Sequence, residues 1–569
     1  MRPELTAGRL RFIMVATTLV ASLLLGRLVV LQVINGPRLA AMAEDERRTL
    51  RTIPAVRGAI TDVNGHALAV SVKAVDVVAD QKLIVNPEVT ALALAPILGL
   101  PAAQLQVTLT GDRRFVYVKR TVDPIAWQKI LALKVKGVFA YKSAKRVYPG
   151  KTLASNILGF VGVDGVGLAG IELMAQKQLA GVDGLAKYER DPAGRAIPDT
   201  QSQTVQPVQG SDIRLTIDRD IQWTAETELA AAVAQAKADY GTVVVMRPTT
   251  GDILAQATVP SIDSNNPRTA DMTLRGNRAV SDVFEPGSTS KMMTMAAVLD
   301  SGKATALTKF TVPYSMRFGN RTLHDHDKHG PQRLTLNGIL ANSSNIGTYL
   351  AARLIGERGL YETLKRFGIA ERTGLGFPGE SRGALPDPST WSITSFPTIA
   401  YGQGLSVNAI QAASAYATIA NDGVRMRPRL IAGTVSPSGA FTAAAPSKGV
   451  RVVSAGTART LRQMLESVVD KGTGTNAAVP GYRVAGKTGT ASRFDPTLGK
   501  YSGYVASFAG MIPADKPALV IAVSIHNPRG KHYGGVIAAP VFAKIATFAV
   551  QEQRIAPSGT PAANLALTW

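Results

Sequence analysis

The chain has 569 residues, too long for one ordinary domain, so two or three are expected. Its 46% hydrophobic content is ample for large cores, and the complete absence of cysteine excludes disulfides and thiol chemistry while suiting an exported protein. The 63 Lys and Arg against 41 Asp and Glu leave a net charge of +22, which calls for an anionic neighbour; with no nucleic-acid-binding motif and only 6% aromatics, a membrane surface or an acidic polymer fits better than nucleic acid.

Residues 1–11 are short and basic. From Phe12 to Ile34 the chain is apolar except at Thr17, Thr18, Arg27 and Gln32. Phe12 to Gly26 alone has the length of a signal-peptide core, and Ala41-Met42-Ala43 resembles a cleavage site. The full stretch 12–34 reaches the ~20 residues needed to cross a bilayer, so it reads as an uncleaved transmembrane anchor. Arg2, Arg9 and Arg11 place the N-terminus in the cytoplasm and everything after the span outside. Arg27 either snorkels to the interface or meets another membrane helix.

Residues 35–215 hold short β-like runs at 67–72, 75–79, 115–118 and 215–217, with helical candidates at 87–98 and 123–133. Asp62-Val63-Asn64-Gly65 reads as a hairpin connection. No catalytic constellation appears, so this is an elongated, non-catalytic platform. From residue 216 the texture changes. A helix at about 219–238 leads to strands at 242–246 and 252–257; helices dominate from 288 to about 475. Strands return at 487–492, 504–512 and 519–525, before a helix at about 538–553. The pattern predicts an α+β domain, an antiparallel sheet split by a helical insertion. Residues 554–569, rich in Pro, Ala, Ser and Thr, read as disordered.

The chemistry gathers around Phe284-Glu285-Pro286-Gly287-Ser288-Thr289-Ser290-Lys291. Pro286 and Gly287 end the preceding segment, and Ser288 opens a helix that is apolar nearly all round. Lys291 lies one turn on, on the same face. Burial disfavours a charged lysine, and a neutral amine beside a hydroxyl is a general base beside a nucleophile. The alternative is a helix cap with a snorkelling lysine. Two later elements favour catalysis: Ser343-Ser344-Asn345, and Lys487-Thr488-Gly489-Thr490. S-x-x-K followed by S-D-N and K-T-G marks penicillin-binding proteins and class A β-lactamases; here Ser344 replaces the Asp. Lys471-Gly472-Thr473-Gly474-Thr475 looks like the third element but stands in the wrong order and reads as a flexible loop. His324-Asp325-His326-Asp327-Lys328-His329 is dense in metal-ligand types, yet no separate second ligand cluster accompanies it; it reads as a polar loop near the cleft, with no metal or cofactor called for.

At this point the chain resembles the class B penicillin-binding proteins, membrane-anchored D,D-transpeptidases that cross-link peptidoglycan. Arg57-Gly58-Ala59-Ile60-Thr61-Asp62-Val63-Asn64-Gly65 is similar to an early family element, with Val63 in place of the usual Arg. Arg146-Val147-Tyr148-Pro149, Leu158-Gly159-Phe160-Val161-Gly162, Gly170-Ile171-Glu172, Tyr401-Gly402-Gln403-Gly404 and Tyr533-Gly534-Gly535 fit as well. The resemblance implies a transmembrane helix, a β-rich pedestal over 35–215, and over 216–553 a serine β-lactamase-like transpeptidase domain with a five-stranded antiparallel sheet and a helical subdomain. It implies Ser288 as nucleophile, Lys291 as base and Ser343 as proton relay. Asn345 would hold the substrate amide, Lys487 would support the proton network, and Thr488 and Thr490 would bind the terminal carboxylate. The backbone N–H groups of Ser288 and Thr490 would form an oxyanion hole, with Gly489 between the two threonines.

Expected ligands are D-Ala-D-Ala stem peptides and β-lactams. Expected partners are a membrane glycosyltransferase of the shape, elongation, division and sporulation (SEDS) type and other divisome proteins, in septal wall synthesis; elongation is the alternative role. A D,D-carboxypeptidase or β-lactamase-like hydrolase on the same scaffold is the rival chemistry, and a β-lactam sensor is disfavoured by the short cytoplasmic segment.

Overall fold

A computed structural model of the chain describes residues 4–189, 203–495 and 498–569. The chain divides into two compact units: residues 1–56 with 181–209, and residues 57–180 with 210–569.

In the first unit an α-helix over Glu4–Val29 passes into a π-helical turn, Val30–Ile34, and then a helix over Gly36–Arg47. Its apolar part, Ala7–Ile34, covers 28 residues and contains an 18-residue window of mean hydropathy 2.2. At 1.5 Å per residue this is roughly 42 Å, more than the ~30 Å hydrocarbon core. Helix thus starts inside the expected tail 1–11. The unit also holds an antiparallel sheet of Arg48–Ile53, Gly184–Glu189 and Gln203–Val205.

The second unit contains two sheets that matter here. One strand, Ala67–Ala79, replaces the two short runs expected there and pairs with Ile60–Thr61, Val116–Val122 and Val138–Val147. Asp62 closes the Ile60–Ala67 turn, its Oδ1 accepting from Asn64 N and His66 N. The helices Pro87–Leu98 and Pro124–Ala132 form as expected, each with Pro in the first turn and an Asn or Asp cap; Ala102–Leu109 is a further helix. The strand Asp212–Leu215 lies parallel to Ile60–Thr61 and antiparallel to Ile431–Val435. This sheet therefore runs on past residue 215, where the sequence reading divides pedestal from catalytic region.

The other sheet has five antiparallel strands in the order Ile253–Val259, Tyr240–Met246, Leu519–His526, Lys500–Ile512, Ala485–Asp495. Both faces are buried, and strand periodicity sorts the side chains. Val243, Val245, Phe508, Ile521 and Val523 pack with the helices Arg219–Gln235 and Ala539–Glu552. Val244, Met246, Ala509, Met511 and Ala522 face the helical insertion. The insertion carries several short strands besides helices, such as Lys309–Val312 paired with Gln332–Thr335.

Residues 554–569 correct the expectation of disorder. Ser558 Oγ donates to Asp515, Tyr482 OH donates to Ile555 O, and Leu565 packs on the main core. Composition flagged a segment rich in Pro, Ala, Ser and Thr; its backbone and side-chain groups find partners on the domain instead.

Candidate active site

The strand Ala485–Asp495 is an edge strand, and the turn that carries Ser288 lies against it. Gly489 permits this approach: a Cβ there would sit 2.4 Å from Ser507 Oγ and 2.9 Å from Thr289 Cγ2. Gly287, at φ +52, occupies the left-handed region that glycine tolerates, and a Cβ on it would meet Ala491 at 2.9 Å. Ser288 sits in a 3₁₀ turn, Gly287–Ser290, rather than in the α-helix Lys291–Asp300 that follows. In a 3₁₀ turn residues three apart eclipse, which keeps Ser288 and Lys291 on one face.

The three elements meet in a cleft of about 1030 Å³ lined by Ser288, Ser343, Asn345, Thr488 and Thr490. Lys291 and Lys487 lie behind this lining, both fully buried. Lys291 Nζ donates to Ser343 O at 2.5 Å, Ser343 Oγ at 3.3 Å and Asn345 Oδ1 at 2.7 Å. Its described bonds thus go to the second element and none to Ser288 Oγ; base–nucleophile contacts commonly tighten only in the loaded complex. Burial lowers the Lys291 pKa from 10.5 to about 7, the Asp325 charge opposing the shift. Lys487 is held well below its ordinary value, first by burial and then by Lys291. Its Nζ donates to Thr488 O at 3.2 Å and Thr488 Oγ1 at 3.4 Å.

The Ser343 turn is held in an uncommon conformation. Ser343 has φ +59, which costs on the order of 1 kcal/mol or more for a residue with a Cβ. Ser344 caps the helix Asn345–Ala352 through Gly347 N at 2.8 Å. Asp325, 5% exposed, completes the cap: Oδ1 accepts from Asn345 N at 2.5 Å and Ile346 N at 2.9 Å, and Oδ2 from Ser344 Oγ at 2.6 Å. His329 Nε2 reaches Oδ2 at 3.1 Å; burial opposes charge on this imidazole, but Gly330 O and Asp325 raise its pKa overall.

Asp325 is the residue that sequence reasoning passed over, inside a loop read only as polar. The signal lay in its type: a carboxylate stabilises a helix N-terminus. Within the same loop, His324 Nδ1 bonds Asp325 O, His326 Nδ1 bonds Asp327 Oδ1 and His329 Nε2 bonds Asp325 Oδ2, so the three imidazoles turn to three different oxygen atoms.

The segment set aside as a flexible loop also belongs here. Thr473 Oγ1 lies 2.6 Å from Thr488 Oγ1, and Asn476 Nδ2 donates to Gly535 O. Gly534 N in turn donates to Thr490 Oγ1 at 3.2 Å. Order along the chain excluded Thr473; the fold brings it to the third element.

A serine at the mouth of a cleft, a buried amine of lowered pKa, a second hydroxyl on that amine and an edge strand presenting two threonines define a serine acyltransferase of the penicillin-recognising type. Residues 241–547 match the penicillin binding protein transpeptidase domain, and residues 52–215 the penicillin-binding protein dimerisation domain. The chain is 37% identical to penicillin-binding protein PbpB of Mycobacterium tuberculosis, over 94% of its own length and 84% of that protein. It is 35% identical to peptidoglycan D,D-transpeptidase FtsI of Escherichia coli, over 95% of its own length and 91% of that protein. Among solved structures it is similar to a peptidoglycan synthetase from Bifidobacterium adolescentis, at TM-score 0.76 and 32% identity, covering 92% of this chain and 100% of that one. Penicillin binding protein 3 from Mycobacterium tuberculosis, complexed with aztreonam, aligns at TM-score 0.71 and 33% identity, covering 91% and 100%. The chain belongs to the class B penicillin-binding proteins, and it is an enzyme of the D,D-transpeptidase type.

Proposed function

We propose that this protein cross-links peptidoglycan through an acyl-enzyme on Ser288. Ser288 Oγ attacks the carbonyl of the penultimate D-Ala while neutral Lys291 takes the hydroxyl proton. The oxyanion is held by the backbone N–H groups of Ser288 and Thr490, a type of donor whose loss costs about 3–4 kcal/mol. Collapse breaks the peptide bond; Ser343 relays a proton to the departing D-Ala amine. Asn345 orients the substrate amide, and Thr488 and Thr490 take the terminal carboxylate, with Lys487 supporting the field. The amine of a second stem peptide then attacks the ester and frees Ser288. A β-lactam enters the same first step and stays on Ser288.

The observation that carries this reading is the fully buried Lys291 amine with Ser343 and Asn345 as its partners. A further feature supports transfer over hydrolysis. The carboxylates among the described lining residues are Asp325, committed to the Ser344–Ile346 cap, and Asp327, bonded to His326, so neither is aimed at a water beside Ser288. We further read the apolar helix Ala7–Ile34 as a membrane anchor with a cytoplasmic N-terminus, the role as septal, and the partners as a SEDS-type glycosyltransferase and other divisome proteins. Support for the septal role is likeness to septal enzymes of this class; filamentous cells on depletion would agree with it, and rounded cells would indicate elongation.

Intact mass after benzylpenicillin, on wild type and Ser288→Ala, tests the mechanism. A stable single adduct on wild type alone is expected. Rapid adduct loss with turnover would indicate the hydrolase, and no adduct on either protein would remove Ser288 from the role.

A further inference from the structure

We propose that residues 564–569 are a positioning strap: they fix the Ser343–Asn345 turn against the loop that braces the third catalytic element, and acylation depends on them. This rests on the Ser288 reading above. The short helix Leu336–Ala341 runs directly into that turn. Its cap is Thr335, whose Oγ1 accepts from Gly338 N at 3.0 Å. The same hydroxyl donates to Ala566 O at 2.7 Å, and Thr335 N donates to Leu567 O at 3.0 Å. Asn337 Nδ2 donates to Leu565 O at 3.2 Å. The strap lies flat on the helix: a Cβ on Gly338 would sit 1.9 Å from Leu567 O.

Both ends of the segment are tied. Thr568 bridges to Leu334, and Trp569 Nε1 donates to Phe310 O at 3.3 Å. Lys309 and Arg333 stand over the Trp569 ring at 5.1 and 5.2 Å. At the other end Asn564 Oδ1 accepts from Lys471 Nζ. Lys471 opens the loop in which Gly472 packs on Ala341 O, where a Cβ would come to 2.5 Å, and Thr473 bonds Thr488. Six residues therefore touch the helix that delivers Ser343 and the loop that braces Thr488. The contacts to the helix and its cap use backbone carbonyls, which no side-chain pattern announces.

The chemical consequence runs through Lys291. Its acceptors are Ser343 and Asn345; the charged groups that bear on it are Asp325 and Lys487. A slack turn removes acceptors that favour the ammonium, and misplaces the Ser343 hydroxyl. Displacements of about an ångström cost up to 10²-fold in rate.

The test is penicillin acylation of the full-length protein, of a chain ended at Ala563, and of Gly338→Ala, which forces Leu567 off the helix while keeping the chain intact. Binding and acylation steps are separated, and active sites are titrated. The expected result is an acylation step slower by about tenfold or more, with binding changed by about twofold or less. The pH midpoint of acylation moves to the acid side. Trp569→Phe, which keeps a ring beneath the two cations, retains more rate than Trp569→Ala. Wild-type rate and midpoint in the shortened chain would overturn the strap, as would a deficit that vanishes on normalising to titrated sites. An unacylated wild type would count against the Ser288 reading instead. Amide exchange over 336–348 then decides the strap: faster exchange in the shortened chain supports it, and unchanged exchange overturns it.

Discussion

Two regions of this molecule bury positive charge, in opposite ways. In the pedestal, Arg57 and Arg146 enclose Glu172, which is fully buried; Arg57 Nε reaches it at 2.6 Å and Arg146 Nε at 2.7 Å, with Tyr148 OH at 3.2 Å. Every charge there has an opposite charge in contact. In the cleft, Lys291 and Lys487 are buried with hydroxyl, amide and carbonyl partners and, among the described residues, no carboxylate in contact. The first arrangement fixes a fold. The second shifts amines toward neutrality, which is what a general base requires. Residue choice follows the same division, since arginine cannot give up its proton and lysine can.

The sharpest way to break the contrast is Lys291→Arg. It keeps the cation and removes the proposed base, so acylation is expected to fall by about 10³-fold, in the 10²–10⁴ range of general-base catalysis. The wild-type acylation rate should rise with pH through about 7, because in the proposed mechanism the reactive form is the neutral amine. A rate that is flat from pH 6 to 9, or an arginine variant of wild-type speed, would defeat the role. In the pedestal the matching change is Glu172→Gln, which strands two buried guanidinium groups. Breaking a buried pair costs about 3–5 kcal/mol, so the melting temperature should drop by several degrees while the folded protein still acylates. An unchanged melting temperature would mean that the network is not structural.

Between these extremes stands Asp325, the carboxylate closest in role to both regions. Asp325→Asn keeps the shape and removes the charge at the Ser344–Ile346 cap. Charge-assisted bonds of this kind contribute roughly 1.5–3 kcal/mol, which corresponds to a fall in acylation of about 10- to 100-fold. Losing the negative neighbour also lowers the Lys291 pKa further, so the pH profile moves to the acid side. A slower variant with an unshifted profile would limit Asp325 to holding the turn.

What the sequence made legible follows from the same physics. Ser288-Thr289-Ser290-Lys291 is local: Pro286 and Gly287 break the chain and an apolar helix follows, so burial of Lys291 could be read from its neighbours. The strand at 242–246 was legible for the same reason, as a local run of β-branched and apolar residues, all of them buried. Asp325 and Thr473 were not, because their partners, Ser344 and Thr488, arrive only through tertiary contact. The segment 564–569 was misread because its bonds to the helix Leu336–Ala341 and its cap are made by backbone carbonyls, while composition reports side chains. Sheet continuity across residue 215 was hidden as well, since Asp212–Leu215 pairs with Ile431–Val435, more than two hundred positions away.

The smallest effect tests whether an uncharged buried base can be purely structural. His526 is buried at the end of the central strand Leu519–His526, stacked on Tyr240 at 4.1 Å and bonded to Ser524 Oγ at 2.9 Å. Burial first, then the nearby Arg493 and Arg278 charges, lower its pKa from 6.5 to about 3. The unfolded chain takes up this proton below pH 6.5 and the folded chain does not. Stability is therefore complete above 6.5 and falls as the pH drops toward 3. Between pH 6.5 and 5 the loss from this one group is roughly 2 kcal/mol. Chemical denaturation at pH 7 and pH 5, on wild type and His526→Gln, isolates it: the variant should be less stable at pH 7 but lose less on acidification. An identical loss in both proteins would show that His526 titrates alike in the folded and unfolded chain, and that its burial, unlike that of Lys291, carries no proton linkage.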